Sequence, residues 1–389
     1  MQIESIEIRN YRVFKSAVLA NLPRLAVLVG ENGSGKSTLF DVFSFLKDAL
    51  AQNVAKAVSR RGGFKELVSR ESSGPISIIL KFRETGGRLA TYKLSVVSEK
   101  GLVTVEREVL KFRRGQRGQP WHFVDFSRGK GTAITNEAMY GKPGAQEERK
   151  EYVMDEPTVL AIKGLGQFKE YRVISEFRSL IENWHITDFH IADARPSAEE
   201  GYAEHLSTRG DNVAQVAQFL FDHHSERFKD ILDAMKRRIP GVNKVEAKPT
   251  DDGRLVLRFQ DGAFQDPFIA RYVSDGTIKM FAYMVLLYDP DPFPLLAVEE
   301  PENQLYPELL QELAEEFRDY ARRGGQVFIS THSPEFLNGL SLDEIYWLAK
   351  KDGYTTIHRG ADSDVLKRLI HEGDFPGALW RQGVFKGAW

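Results

Sequence analysis

Residues 25–37 read LAVLVGENGSGKS. The apolar run Leu25 to Val29 is the pattern of a buried strand. Gly30, Glu31, Asn32, Gly33, Ser34, Gly35, Lys36 and Ser37 follow it and fit G-x-x-x-x-G-K-[ST] in full. Beyond Gly35, apolar residues Leu39, Val42, Phe43, Leu46 and Leu50 recur at helical spacing to about Ala57. Strand, glycine loop and helix in this order are the context that gives the motif its chemistry. Glycines let backbone N–H groups point into one concavity, and the helix N-terminus adds partial positive charge. Such a loop cradles phosphate oxygens. Asn32, Gly33, Gly35, Lys36, Ser37 and Thr38 are the candidate phosphate-binding residues, with Lys36 on the β- and γ-phosphates and Ser37 offering a hydroxyl to magnesium. The loop therefore implies ATP and magnesium.

A second apolar run, Leu295 to Val298, ends in Glu299, Glu300, Pro301 and Glu302. Carboxylates at the end of a buried parallel strand stand where open α/β sheets bind ligands. Glu299 is the candidate magnesium ligand, and Glu300 the group that polarises an attacking water. The alternative reading is a helix start that gathers acids for its dipole. Asp155-Glu156-Pro157 has a similar look, but only Tyr152, Val153 and Met154 precede it, too short a strand. Strand QVFIS runs into Ser330, Thr331, His332 and Ser333, which puts a histidine on the next strand end. Ser274, Asp275, Gly276 and Thr277 open a helix. They suit a phosphate clamp, or an ordinary N-cap.

The rest of the chain sets the frame. It has 389 residues, 42% hydrophobic and 28% charged, enough for a large core or two. The formal net charge of −2 excludes a polycation built to coat nucleic acid, though not a local basic groove. With no cysteine, disulfides, thiolate zinc sites and a cysteine nucleophile are excluded, which suits a cytoplasmic protein. The N-terminus MQIESIEIRNYRVF is too charged for a signal peptide, and no apolar run of about 18 residues exists to span a membrane. Between Ile76 and Thr135, strand-like pieces (ISIILKF, ATYKLSVV, LVTVEREVLKF, WHFVDF) alternate with turns and predict an antiparallel sheet. Residues 136–156 read as an exposed loop. Helical pattern covers 168–184 and 212–238, followed by strand pieces at 243–247 and 254–259. After about 270, strands and helices alternate, the signature of a parallel sheet covered on both faces. That sheet is expected to be split, beginning in residues 1–50 and resuming late in the chain. The expected parts are 1–60 with the phosphate loop, 61–150 as an antiparallel β subdomain, 151–270 as a helical and mixed insertion, and 271–389 with the remaining motifs.

In this order the elements resemble the ABC ATPases of the SMC, RecF and OLD-nuclease lineage, of the stand-alone bacterial type associated with anti-phage defence. The resemblance covers about residues 1–50 and 160–360. It implies an α/β P-loop NTPase head, mostly parallel, with an antiparallel subdomain and a helical insertion. It implies ATP hydrolysis, with Glu300, His332 and Lys36 as catalytic residues and His332 as the switch histidine. It implies a homodimer closed by ATP, in which Ser274 and Gly276 act on the partner's nucleotide. IRNYRVF is similar to the N-F-[KR]-x-F opening of that lineage, which implies that Asn10, Tyr11 and Arg12 lie near the nucleotide. Gln167 resembles the lid glutamine that reaches magnesium. The chain departs from the pattern in having VSDGT for LSGGQ, so that Asp275 brings negative charge, and Glu for Asp at the first strand-end acid. Long coiled-coil arms are absent, and too few residues follow Leu348 for a Toprim nuclease. The expected role is an ATP-driven defence switch with a separately encoded nuclease effector and no membrane partner. The alternatives are a RecF-like clamp whose DNA binding ATP controls and a non-hydrolysing nucleotide-gated scaffold. Asp222-His223-His224 is set aside as helix surface, and the aromatic tail of Trp380, Phe385 and Trp389 as packing.

Overall fold

The computed structural model describes all residues except 84–86, 114–119, 143, 188, 190 and 388–389. Trp389 therefore lies outside the described residues. The chain divides into two compact units: Met1–Trp184 with Leu342–His371 and Val384–Trp389, and His185–Ser341 with Glu372–Gly383.

In the first unit the opening strands are β1 (Gln2–Tyr11), β2 (Phe14–Leu19) and β3 (Leu25–Gly30). All six residues of β3 are buried. It pairs in parallel with Ile345–Lys351, Tyr346 opposite Leu28, and that strand turns back antiparallel into Tyr354–Arg359. The helix after the glycine loop runs Lys36–Ala51 and buries Leu39, Val42, Phe43, Leu46 and Leu50. It stops earlier than the spacing predicts. The backbone breaks at Gln52, and the Asn53 side chain accepts from Lys56 N to cap a separate helix, Val54–Ser59. An asparagine at that position competes with the helix for its own backbone, so the apolar rhythm continues across a break.

Six further strands follow: β4 (Ile76–Arg83), β5 (Leu89–Glu99), β6 (Leu102–Phe112), β7 (Trp121–Ser127), β8 (Lys130–Ile134) and β9 (Arg149–Val153). With β1 and β2 they form one eight-stranded antiparallel sheet in the order β2-β1-β4-β5-β6-β7-β8-β9. This corrects two expectations. β1 and β2 belong to this sheet and not with β3, because Ile6 and Ile8 alternate with polar residues, the pattern of a sheet with one wet face. Within the expected loop 136–156, Arg149–Val153 pairs with β8 as the edge strand. The inner face packs on helix Arg172–Glu182, where the Phe177 ring lies 5.2 Å from Phe82 and 5.1 Å from Tyr92.

That inner face holds one carboxyl group, Glu108 on β6, with no exposure. It accepts from Ala161 N and Ile162 N, the first residues of helix Ala161–Leu165, and from the Tyr92 hydroxyl at 3.1 Å. Burial raises its pKa to about 7 against the lowering effect of those donors. The folded chain therefore holds a proton that the unfolded chain releases near pH 4.5. Stability should fall as pH rises from about 4.5 to about 7 and level off above, by at most about 1.4 kcal/mol per pH unit. Glu108→Gln should flatten that slope in urea denaturation between pH 5 and 8. Superimposable profiles for the two chains would contradict the assignment.

The second unit carries the parallel strands His185–Thr187, Leu295–Glu299 and Gln326–Thr331, paired in that order with Leu296 opposite His185 and Val327. A smaller antiparallel sheet pairs Val242–Pro249 with Arg254–Asp261, and two short strands join its second member. Helix Asp275–Leu287 is buried from Thr277 to its end. Leu309–Arg322 is amphipathic and buries Leu310, Leu313, Phe317 and Tyr320. The helical stretch at 212–238 is two helices, Val213–His223 and Ser225–Arg238, broken at His224. Asp222 there accepts from the Tyr202 hydroxyl at 3.0 Å, and the His223 ring lies against Phe219. Among the described residues no helix is long and apolar enough to cross a membrane.

Candidate functional site

In the first unit, β3 delivers the glycine loop to the helix Lys36–Ala51. Gly33 and Gly35 have φ of +76° and +105°, which a side chain rarely adopts. A Cβ at Gly35 would meet Val13 Cγ2 at 2.8 Å, so the loop is packed from below, whereas one at Gly33 would meet nothing within 4 Å. The far side of the loop is held by Thr355, whose hydroxyl donates to Ser34 O at 2.7 Å, and by an ion pair between Lys386 and Glu31. Phe385, beside that lysine, is buried with its ring edge-on to Trp347. Lys36 is buried, and its Nζ donates to Gly30 O at 2.8 Å and Glu31 O at 3.3 Å. Asn32, Gly33 and Ser37 are exposed and Thr38 half-buried. The Ser34 hydroxyl is buried without a hydrogen-bond partner. An orphaned donor inside a glycine loop at a helix N-terminus fits a phosphate group.

Arg12 follows β1 at φ +48° and pairs with Asp41 on the loop helix at 3.1 Å. Asp41 also accepts from the Tyr11 hydroxyl at 2.8 Å and from Arg61 Nε at 2.7 Å. Asn10 donates to Pro75 O at 3.2 Å. The opening segment is thus fixed to the second turn of the loop helix through a carboxylate that sequence reasoning missed.

Gln167 is placed elsewhere. Its amide donates to Lys163 O at 3.3 Å, and the Lys163 ammonium donates to Ala51 O and Gln52 O at 2.7 Å each, the C-terminal end of the loop helix. Ser37 opens that helix, about 20 Å away along its axis at 1.5 Å per residue. The structure therefore does not bring Gln167 to Ser37. Resemblance to a lid motif rested on one glutamine, without the flanking pattern that fixes its place.

In the second unit the strand-end acids form a dense cluster. Glu299 stands opposite Ser330, whose hydroxyl is buried and unpaired. Glu300 adopts φ +44°, uncommon for a residue with a side chain, and its N–H donates to Ser330 O at 2.8 Å. One of its oxygens accepts from Asn303 Nδ2 at 3.1 Å, and the other lies 3.6 Å from His332 Nδ1. Glu302 is the buried organiser: Oε1 accepts from the Thr331 hydroxyl at 2.7 Å and His332 N at 2.9 Å, and lies 3.4 Å from His332 Nδ1. Half of the His332 side chain remains exposed. Lys279, from helix Asp275–Leu287, donates to Asn303 O at 2.7 Å. Burial lowers its pKa to about 8, against the opposing pull of Glu302 and Glu300. Glu302, Asn303 and Lys279 were not read as functional. The motif EEPEN held the first two, but only the tertiary turn shows which acid faces which strand.

The same helix begins at Ser274, an exposed N-cap whose Oγ accepts from Thr277 N at 3.2 Å. A Cβ on Gly276 would approach Gln304 O to 2.9 Å, so glycine lets the helix start pack on the turn that follows Glu300. Asp275 does not stand as an uncompensated charge. Arg195 pairs with it and also donates to Arg271 O at 2.8 Å and Val273 O at 2.9 Å, pinning the whole segment.

The first unit carries a phosphate loop and the second carries strand-end carboxylates and a strand-end histidine, the elements of a P-loop α/β fold like that of SMC heads. Residues 25–338 match the family model "AAA domain, putative AbiEii toxin, Type IV TA system", and the chain belongs to that family. No protein of curated function matches it in sequence. Among solved structures, it is similar to an SMC head bound to the C-winged helix domain of ScpA. The TM-score is 0.55 at 14% identity, over 92% of this chain and 97% of that one. It is also similar to a Pyrococcus furiosus SMC head carrying an extended coiled coil and bound to the C-terminal domain of ScpA. There the TM-score is 0.51 at 12% identity, over 96% and 100% of the two chains. At these identities the likeness is one of fold.

Proposed function

We propose that the chain binds ATP with magnesium, hydrolyses it, and dimerises on it as a molecular switch. The observation that carries this reading is Glu300, a carboxylate held by Asn303 and His332 on a strained backbone at the end of a buried strand. Backbone strain of about 1–3 kcal/mol is retained where it positions a group for chemistry. In this reading the loop N–H groups and Lys36 hold the phosphates, with Asn32, Gly33, Gly35 and Thr38 as parts of the cradle. Ser37 and Glu299 hold magnesium, which when bound draws charge from the phosphate oxygens. Glu300 accepts a hydrogen bond from water and so turns a lone pair of the water oxygen toward the γ-phosphorus. His332 stabilises charge on the phosphate oxygens, and Arg12 steadies the loop helix beside the nucleotide.

Ser274 and Gly276 act on the partner's nucleotide. A capped helix start with Asp275 neutralised by Arg195 supports this, since its N–H groups then face an anion without a competing carboxylate. The trans arrangement has a direct test. Ser274→Arg and Lys36→Ala homodimers should each be inactive. Mixed, they form dimers in which one of the two composite sites has both an intact Lys36 and an intact Ser274, so ATPase activity should partly return. Full hydrolysis by Ser274→Arg as a monomer would overturn the scheme. The family model is described as an AAA domain of a putative AbiEii toxin of a type IV toxin–antitoxin system; in the reading proposed here the switch serves anti-phage defence in the cytoplasm, with a separately encoded effector such as a nuclease.

A further inference from the structure

The outer face of the eight-stranded sheet in the first unit carries a groove of about 620 Å³. Its chemistry follows from the register. Thr91 on β5 stands opposite Lys81 on β4 and Lys111 on β6. Lys93 lies two residues along β5 on the same face, and Arg113 follows β6 and donates its N–H to Leu89 O at 2.9 Å. All five side chains line the groove. With strands about 4.8 Å apart, Lys81 and Lys111 flank the Thr91 hydroxyl at about 10 Å from one another.

The acids nearby are already engaged. Glu7 pairs with Arg9 at 2.6 Å, Asp125 with Arg107 at 2.9 Å, and Glu147 with Arg149. Among the described residues no carboxylate lies within 4 Å of Lys81, Lys93, Lys111 or Arg113. His122, at the end of the row, has its pKa lowered by burial and by the Arg149 charge, and is not counted among the cations. Four uncompensated cations on one face of a chain whose net charge is −2 form a local concentration that a sheet surface does not need for folding.

We infer that this face binds the phosphate backbone of duplex nucleic acid. Two features favour that occupant over an acidic polypeptide, and a third favours a duplex over a single strand. The cations are distributed across three strands, matching a backbone with closely spaced charge rather than one carboxylate. Arg113 offers a forked donor and Thr91 a hydroxyl, both suited to phosphate oxygens. Among the described residues the groove is lined by no aromatic ring apart from His122, so bases have nothing to stack on and a paired duplex fits better than a single strand. The surface is independent of the ATP reading, since none of its residues belongs to the phosphate loop or the strand-end acids.

The test uses the nucleotide-free full chain and a fluorescent 30-base-pair duplex, read by anisotropy. Four phosphate contacts predict a log–log salt slope of about −3.6, or about a hundredfold weaker binding at 200 mM than at 50 mM salt. Lys81→Ala/Lys93→Ala/Lys111→Ala, its fold checked by circular dichroism, should bind at least about tenfold more weakly at 50 mM salt and lose about 3 units of slope. Lys36→Ala should bind the duplex as the parent does, which separates this outcome from any failure of ATP binding. The inference is overturned if the parent does not bind, or if the triple variant matches it in affinity and slope. It is also overturned, in favour of an acidic polypeptide, if polyglutamate of equal charge displaces the duplex as well as unlabelled duplex does.

Discussion

Lys36→Ala is expected to lose at least about a hundredfold in ATP affinity, about 3 kcal/mol, because charge-assisted hydrogen bonds to two phosphates disappear together. The fold should survive. Lys36 is buried, and its ammonium donates to the Gly30 and Glu31 carbonyls of its own loop. The strand and helix flanking the loop are packed by Leu28, Phe43 and Leu46, which the substitution does not touch. Isothermal calorimetry reads the result directly. Unchanged affinity would show that the loop is a structural turn and would remove the basis for ATP as the ligand.

Glu300→Gln is expected to keep ATP binding and to lose about a hundredfold to a thousandfold in kcat. The amide preserves shape, and Asn303 and the unusual backbone continue to hold the side chain. What is lost is the charge that accepts the proton side of water. KM should change little, because the residue acts on the water and not on the bound phosphates. A variant turning over at the parental rate would exclude Glu300 as the acid that orients water.

The parts of this site that could be read from sequence are those whose chemistry is local. An apolar strand, a glycine loop and a helical rhythm are contiguous, and the structure places Leu25–Gly30 and Lys36–Ala51 where that pattern predicts. The run ending in Glu299 and the run ending before His332 are adjacent parallel strands for the same reason. What was missed depends on contacts between distant residues. Arg195 neutralises Asp275 from 80 positions away, and Arg61 reaches Asp41 from the turn after helix Val54–Ser59. Neither pairing leaves a pattern in a single sequence, since any of the chain's 53 basic residues could meet any of its 55 acidic ones.

Two misses had a local signal. Asp352-Gly353 between apolar runs is the strongest short hairpin cue, with φ of +51° and +84°, yet the strand Tyr354–Arg359 after it was not foreseen. That strand supplies Thr355, which braces the phosphate loop. The alternation in Gln2–Tyr11 was read as a strand but given to the wrong sheet, though a period of two with polar partners belongs to an antiparallel sheet with one face in water. Gln167 is the opposite case: a single residue type carries no local pattern for a position that the tertiary structure sets, and it lies beside Lys163.

The central claim, that nucleotide joins two heads, is tested most directly by sedimentation velocity of the Glu300→Gln chain with and without ATP and magnesium. The expected species are a monomer without nucleotide and a stable dimer with it, reverting to monomer when Ser274→Arg is added to the same chain. A Glu300→Gln chain that binds ATP by calorimetry yet sediments as a monomer at every nucleotide concentration would contradict it.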